Sequence, residues 1–152
     1  MLTSGDERQI VNLLHRYAEL VDDADFDGIS DLFRDAQVFM AGPDQPAVPG
    51  TMVGTVMKRF VKLHEGSPRT RHVITNTILE PVSDSRATAR SVFTVLQGVG
   101  ESFPLQVVAS GRYHDEFARG SDHIWRFGRR TILLDHHGDV SEHLLPRESG
   151  RP

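Results

Sequence analysis

The sequence predicts an α+β fold in which about three N-terminal helices pack on a cone-shaped, curved antiparallel sheet. Three observations predict it. Apolar residues recur at helical spacing in the first third of the chain, as in Ile10, Leu13, Leu14, Tyr17 and Val21. From residue 70 onward the texture changes to long runs rich in β-branched and aromatic residues. The breaks between those runs are short, which favours antiparallel neighbours joined as a meander. Helices followed by such a sheet make an α+β protein. Long strands twist and curve, so the helices are expected on the concave side, with a pocket at the open end of the cone.

The first helix opens at Ser4, whose spacing to Glu7 is that of a capping box. Its polar face carries Arg8, Asn12, Arg16 and Glu19, and it ends in an acidic cluster of Asp22, Asp23, Asp25 and Asp27. A second helix fits Phe26 to Phe33, with Asp25 as N-cap and Ile29, Leu32 and Phe33 as its apolar face. Pro43, Pro46, Pro49 and Gly50 mark a loop from 42 to 54. Residues 55–65 read as a third helix, stopped by Gly66, Ser67 and Pro68. Four strands follow near 70–80, 86–98, 104–118 and 123–135. Residues 136–152 are polar, with a loose tail from about 146.

The 152 residues suit one domain spanning 1–152. A hydrophobic fraction of 38% and a charged fraction of 25% are those of an ordinary soluble protein. With 17 basic against 21 acidic side chains and no basic stripe, nucleic acid is not an expected partner. The absence of cysteine excludes disulfides, thiol catalysis and thiolate-bound metals. No apolar run reaches membrane-spanning length, and MLTSGDERQI lacks the apolar segment of a secretion signal. A cytoplasmic location is expected.

The chemistry-bearing residues fall on two elements. Strand alternation puts His72, Ile74, Asn76, Ile78 and Glu80 on one face. On the next strands the corresponding faces are Ala87, Ala89, Ser91, Phe93, Val95 and Gln97, then Leu105 to Asp115, then Trp125, Phe127, Arg129 and Thr131. The small residues Ala87, Ala89, Ala109 and Gly111 leave room for a pocket or a close helix. Asp22 stands at the end of the first helix, where the helix dipole disfavours a carboxylate, so its position needs a partner. A histidine is one such partner: a carboxylate on one imidazole nitrogen fixes the tautomer and makes the other nitrogen the base. Tyr17, a little over one turn earlier, is placed to donate to a developing oxyanion. Taken singly, each residue also has a structural reading: His72 a strand histidine, Asp22 a turn residue or cap, Tyr17 core, Asn76 a bulge or edge residue. His123, His136, His137 and His143 suggest a metal, but they lack the compact helical spacing of a metal motif. A solvated tail or a dimer contact is the expected role, with no metal and no cofactor.

The run RYAELVDDADFDGISDLF resembles the opening of the nuclear transport factor 2-like superfamily, in particular its SnoaL-like branch. HVITNTILEPVSD is similar to the segment around the pocket histidine of the scytalone dehydratases and the hexachlorocyclohexane dehydrochlorinases. GRYHDEFAR and WRFGRR resemble strands shared with the small subunits of ring-hydroxylating dioxygenases. The resemblance covers roughly residues 5 to 145. It implies that Asp22 is the pocket aspartate and His72 its partner. It aligns Gln97 with a second pocket histidine of the scytalone dehydratases, a departure that argues against that reaction. It puts Arg129 where this branch sometimes holds a pocket cation. The implied activity is cofactor-independent acid/base chemistry of lyase or isomerase type on a small hydrophobic, aromatic or polyketide-like ligand. Tyr17, Asn76, Gln97 and Arg129 are the expected ligand contacts. A ligand-binding or structural subunit is the alternative, and on either a homo-oligomer is expected, a homodimer through the exposed sheet face or a higher assembly.

Overall fold

A computed structural model describes residues 1–146. Helix α1 spans Ser4–Asp22 and buries Ile10, Leu14, Tyr17, Ala18 and Val21, the stripe its periodicity prescribes. Ile10 and Leu14 are fully buried, each contributing about 1.5–3 kcal/mol relative to exposure. The capping box is one residue earlier than Ser4/Glu7: Thr3 is the N-cap and Asp6 closes the box. Asp6 is better placed because it also reaches the sheet, accepting from the Trp125 indole at 2.8 Å and Arg119 at 3.2 Å. The Trp125 and Thr3 hydrogen bonds hold its carboxyl well below the usual carboxylate range.

Helix α2, Phe26–Leu32, is capped by Asp25, which accepts from the Gly28 amide at 2.8 Å. Helix α3, Val53–Lys58, starts earlier and ends sooner than expected, after a short 3₁₀ turn at Gly50–Met52. Its close packing on α2 requires glycine at 54, where a Cβ would lie 1.8 Å from the Phe26 carbonyl oxygen.

The four long strands are β3 (Thr70–Ser83), β4 (Arg86–Gln97), β5 (Gln106–Arg119) and β6 (Trp125–His137), paired antiparallel in sequence order. Two short strands widen the sheet: β1 (Gln37–Phe39), in a stretch given no element by the sequence, lies parallel to β6, and β2 (Val48–Pro49), inside the expected loop, pairs with β1. The result is a six-stranded, curved, unclosed mixed sheet in the order β2-β1-β6-β5-β4-β3, with the three helices against it. The core fills the space between, led by Phe33, Phe93, Tyr113, Phe117, Trp125 and Phe127.

Irregularities in the strands decide which side chains point inward. The face predicted for β4 is the buried one from Ala87 to Gln97. In β3 the register shifts between Thr75 and Ile78, with Asn76 in the left-handed region at φ 51°. This bulge resets the alternation. His72 and Ile74 point inward before it, and Leu79, not Ile78, packs on the core after it. In β6 the shift falls at Gly128, opposite Glu116 and Phe117. Trp125 and Phe127 point inward as expected, but beyond the bulge Arg130 is fully buried and Arg129 is not.

The terminal segment after β6 is not loose up to residue 146. Leu145 donates to the Phe60 carbonyl at 2.8 Å, and Lys62 donates to the His143 carbonyl at 2.9 Å. The Glu142 carbonyl accepts from Gln97 Nε2 at 2.8 Å and lies 2.7 Å from His64 Nε2. The expected loose tail, beyond residue 146, falls outside the described residues.

Candidate active site

Asp22 and His72 come together. His72 Nδ1 lies 2.6 Å from Asp22 Oδ1, and the His72 backbone amide donates to the same carboxylate at 2.9 Å. The Thr70 hydroxyl adds a third donor at 2.9 Å. This supplies the reason for a carboxylate at the unfavourable end of α1: three donors from the start of β3 compensate the helix dipole. The side chains are 7% and 11% exposed for His72 and Asp22, respectively, so the pair is largely screened from water. With an ionised Asp22, the ring proton resides on Nδ1. Nε2 then carries the lone pair, and it has no hydrogen-bond partner among the described residues.

His72 lines a cavity of about 350 Å³ between the helices and the sheet. The walls are mostly apolar: Val21 from α1, Met57 from α3, Phe60 and Val61 after it, Phe93 and Val95 from β4, Ala109 from β5 and Ile132 from β6. That size and character suit a small, mainly apolar ligand. Gly111 shapes the floor, since a Cβ there would lie 2.6 Å from the Phe93 ring and 2.2 Å from the Leu133 carbonyl oxygen. Phe93 lines the cavity stacked on Tyr113, with 4.5 Å between ring centroids.

Tyr17 is in this wall, as expected, and Tyr113 accompanies it. Their rings meet edge to face with centroids 5.8 Å apart, and burial raises the pKa of both phenols, so both remain neutral near pH 7. Beneath them lies a fully buried ion pair, Arg130 to Asp115, bidentate at 2.7 and 2.8 Å. The Arg130 guanidinium lies 3.9 Å from the centre of the Tyr113 ring and 4.5 Å from that of Tyr17. Burial pushes the Asp115 carboxyl up, against the pull of Arg130. The positive charge under the two phenols opposes the effect of burial on each.

Three expected ligand contacts lie elsewhere. Asn76 is exposed, because the bulge it forms takes it off the inward face. Gln97 is fully buried and outside the cavity wall, where its amide donates to the Pro68 and Glu142 carbonyls. Arg129 is turned outward by the bulge at Gly128. It stacks on Phe39 at 4.3 Å and lines a groove with Thr88, Arg90, His114 and Glu116.

His143 was expected in a solvated tail or a dimer contact. The docked terminal segment instead brings it to the cavity wall, with its ring centroid 6.4 Å from that of His72. Burial, and next the neighbouring His72, push its pKa down to about 4. The signal available in the sequence was the apolar set Val140, Leu144 and Leu145 within a polar segment, which marks a stretch that packs. For Tyr113 the signal was its place on the same inward face as Gly111 and Asp115. For Arg130 there was none, since a bulge decides between it and Arg129. No group of three or more metal-ligating side chains is gathered among the described residues.

A SnoaL-like domain model matches residues 3–131. The chain belongs to the SnoaL-like domain family. Solved structures agree with this SnoaL-like fold. ActVI-ORFA from Streptomyces coelicolor is 23% identical, with a TM-score of 0.69 over 88% of this chain and 99% of that one. A candidate scytalone dehydratase from Novosphingobium aromaticivorans is 20% identical, with a TM-score of 0.65 over 97% and 96% of the two chains. The β subunit of a candidate aromatic-ring-hydroxylating dioxygenase from the same species is 16% identical, with a TM-score of 0.66 over 90% and 94%. A search of curated proteins gave no match. At these identities the structural likeness establishes the SnoaL-like fold, which serves both enzymes and subunits. No helix among the described residues is long and apolar enough to cross a membrane.

Proposed function

We propose that this SnoaL-like protein is a cofactor-independent acid/base enzyme that removes a proton from a small, mainly apolar substrate. The observation that carries the reading is the 2.6 Å His72–Asp22 hydrogen bond at the wall of an apolar cavity. Asp22 holds the Nδ1–H tautomer, and His72 Nε2 accepts a proton from an acidic C–H of the substrate. Asp22 stabilises the imidazolium that results. Tyr17 and Tyr113 supply neutral hydrogen-bond donors at the same wall for charge developing on a substrate oxygen. The low-dielectric surroundings strengthen both effects. Dehydration, isomerisation, cyclisation and dehydrohalogenation all begin with such a step. The likeness to a candidate scytalone dehydratase supports the lyase end of that range. A cytoplasmic location fits the cysteine-free composition.

The test is a ligand screen by thermal shift, followed by turnover of the hits with wild type, His72→Ala and Asp22→Asn. Loss of about 10²–10⁴-fold in rate is expected for His72→Ala. Equal turnover by all three proteins would remove the dyad from the reaction.

A second reading is a subunit role, favoured by the likeness to a dioxygenase β subunit and by exposed apolar residues on the outer sheet face. Val73 and Val107 are 37% and 53% exposed there. The same face is the proposed homodimer surface. Light scattering separates monomer from dimer, and copurification with a larger iron–sulfur subunit would favour the subunit role.

A further inference from the structure

The geometry points to His143 as a ligand-binding residue, a second polar group in the cavity wall next to His72, selecting small apolar molecules that carry a carbonyl or hydroxyl oxygen beside the group presented to His72. The inference rests on reading this cavity as a ligand site, and it adds a contact beside the Asp22–His72 pair.

Four observations carry it. His143 lines the cavity together with Val140 and Leu144 of its own segment. Its ring is 6.4 Å from that of His72, so one small molecule touches both. Its Nδ1 is buried without a hydrogen-bond partner among the described residues, and Nε2 has none there either. An orphaned N–H is the rarer and costlier of the two unsatisfied states, so the proton belongs on Nε2. Neutral at pH 7, the ring offers an Nε2–H donor to an oxygen, not a charge to a carboxylate.

The segment is clamped by groups that do not face the ligand. Gln97 and His64 converge on the Glu142 carbonyl, the residue before His143, and Lys62 pairs with the Glu142 carboxylate at 3.0 Å. This clamp explains why Gln97 is fully buried away from the cavity: it positions the strap that carries the histidine. The rest of the wall is apolar apart from His72, His137 and the two tyrosines. A donor at 143 therefore changes which molecules the cavity prefers, more than how tightly it holds an apolar body.

The test uses matched probes, 1-indanone and indane, with Kd measured for wild type, His143→Leu and His143→Gln. Indane sets the apolar baseline. The preference for indanone over indane, expressed as the ratio of the two Kd values, is expected to fall about threefold to tenfold in His143→Leu. It is expected to recover in His143→Gln, which keeps a donor near the Nε2 position. An unchanged ratio in His143→Leu overturns the assignment, as does failure of both probes to bind at millimolar concentration. The wild-type protein gives an independent reading if a variant does not fold. The ¹⁵N shift of His143 Nε2 should move with indanone and not with indane, and an equal response to both overturns the assignment. Because binding alone is measured, loss of the His143 contact is distinguished from loss of proton abstraction by the dyad, which the His72→Ala turnover reports.

Discussion

Asp22→Asn tests the dyad without knowledge of the substrate. In the wild type, Asp22 accepts from the Thr70 hydroxyl, the His72 amide and the His72 ring, at 2.9, 2.9 and 2.6 Å. Asparagine offers one acceptor oxygen and two N–H donors. Its oxygen can keep the His72 amide, but its NH₂ then faces the imidazole, which must turn its lone pair toward it. The proton moves to Nε2, and the nitrogen facing the cavity ceases to be a base. Losing charge-assisted acceptance from a partly buried trio costs about 1.5–3 kcal/mol, or about 3–12 °C in melting temperature for a domain of this size. The rate loss is expected to be larger than this stability loss implies, about 10²–10⁴-fold, because the base itself is removed. The assay is ¹⁵N NMR of the imidazoles at pH 7.5. Wild-type His72 should show a protonated Nδ1 and a bare Nε2, reversed in Asp22→Asn. A wild-type His72 protonated at Nε2, or no change on substitution, would refute the reasoning whatever the protein does.

Other outcomes follow from the same geometry. Asp115→Ala strands a buried guanidinium that cannot deprotonate, and should cost about 3–5 kcal/mol in denaturant unfolding. Arg130→Met leaves a carboxyl that burial already raises; its stability should fall as pH rises above the unfolded aspartate value of about 3.9, by up to about 1.4 kcal/mol per pH unit. His143 has its folded pKa lowered from 6.5 to about 4, so the unfolded chain takes up the proton first. Stability should drop as pH falls from 6.5 toward 4, by about 1–3 kcal/mol, and His143→Gln should flatten that part of the curve. Gln97→Ala removes both hydrogen bonds to the Pro68 and Glu142 carbonyls; hydrogen exchange at the Lys62 and Leu145 amides should accelerate, at a cost of about 1–3 kcal/mol. Asn76→Val forces a β-branched residue to φ 51° and should destabilise by about 1–2 kcal/mol, whereas Asn76→Gly should be neutral or better.

What the sequence determined by itself was whatever depends on local periodicity and on side-chain chemistry. The stripe of α1, the Asp25 cap, four long antiparallel strands and the inward face of β4 follow from spacing, because burial selects apolar residues at fixed intervals. The pairing of Asp22 with His72 was one option that side-chain chemistry allowed, and the resemblance of their two segments to a known family implied it; each residue by itself also had a structural reading. Only the tertiary structure decided the rest. Asn76 and Gly128 each sit where a strand admits an extra residue, and one extra residue moves every later side chain to the other face. That is why Arg130, with Asp115, lies under the tyrosines and Arg129 does not. The short strands β1 and β2 exist because β6 offers an edge to β1 and β1 in turn offers one to β2, not because their own residues demand extension. His143 reaches the cavity through contacts made by Lys62, Gln97 and Phe60, residues distant in the chain. Their carbonyl and amide partners cannot be read from the polar segment that carries the histidine.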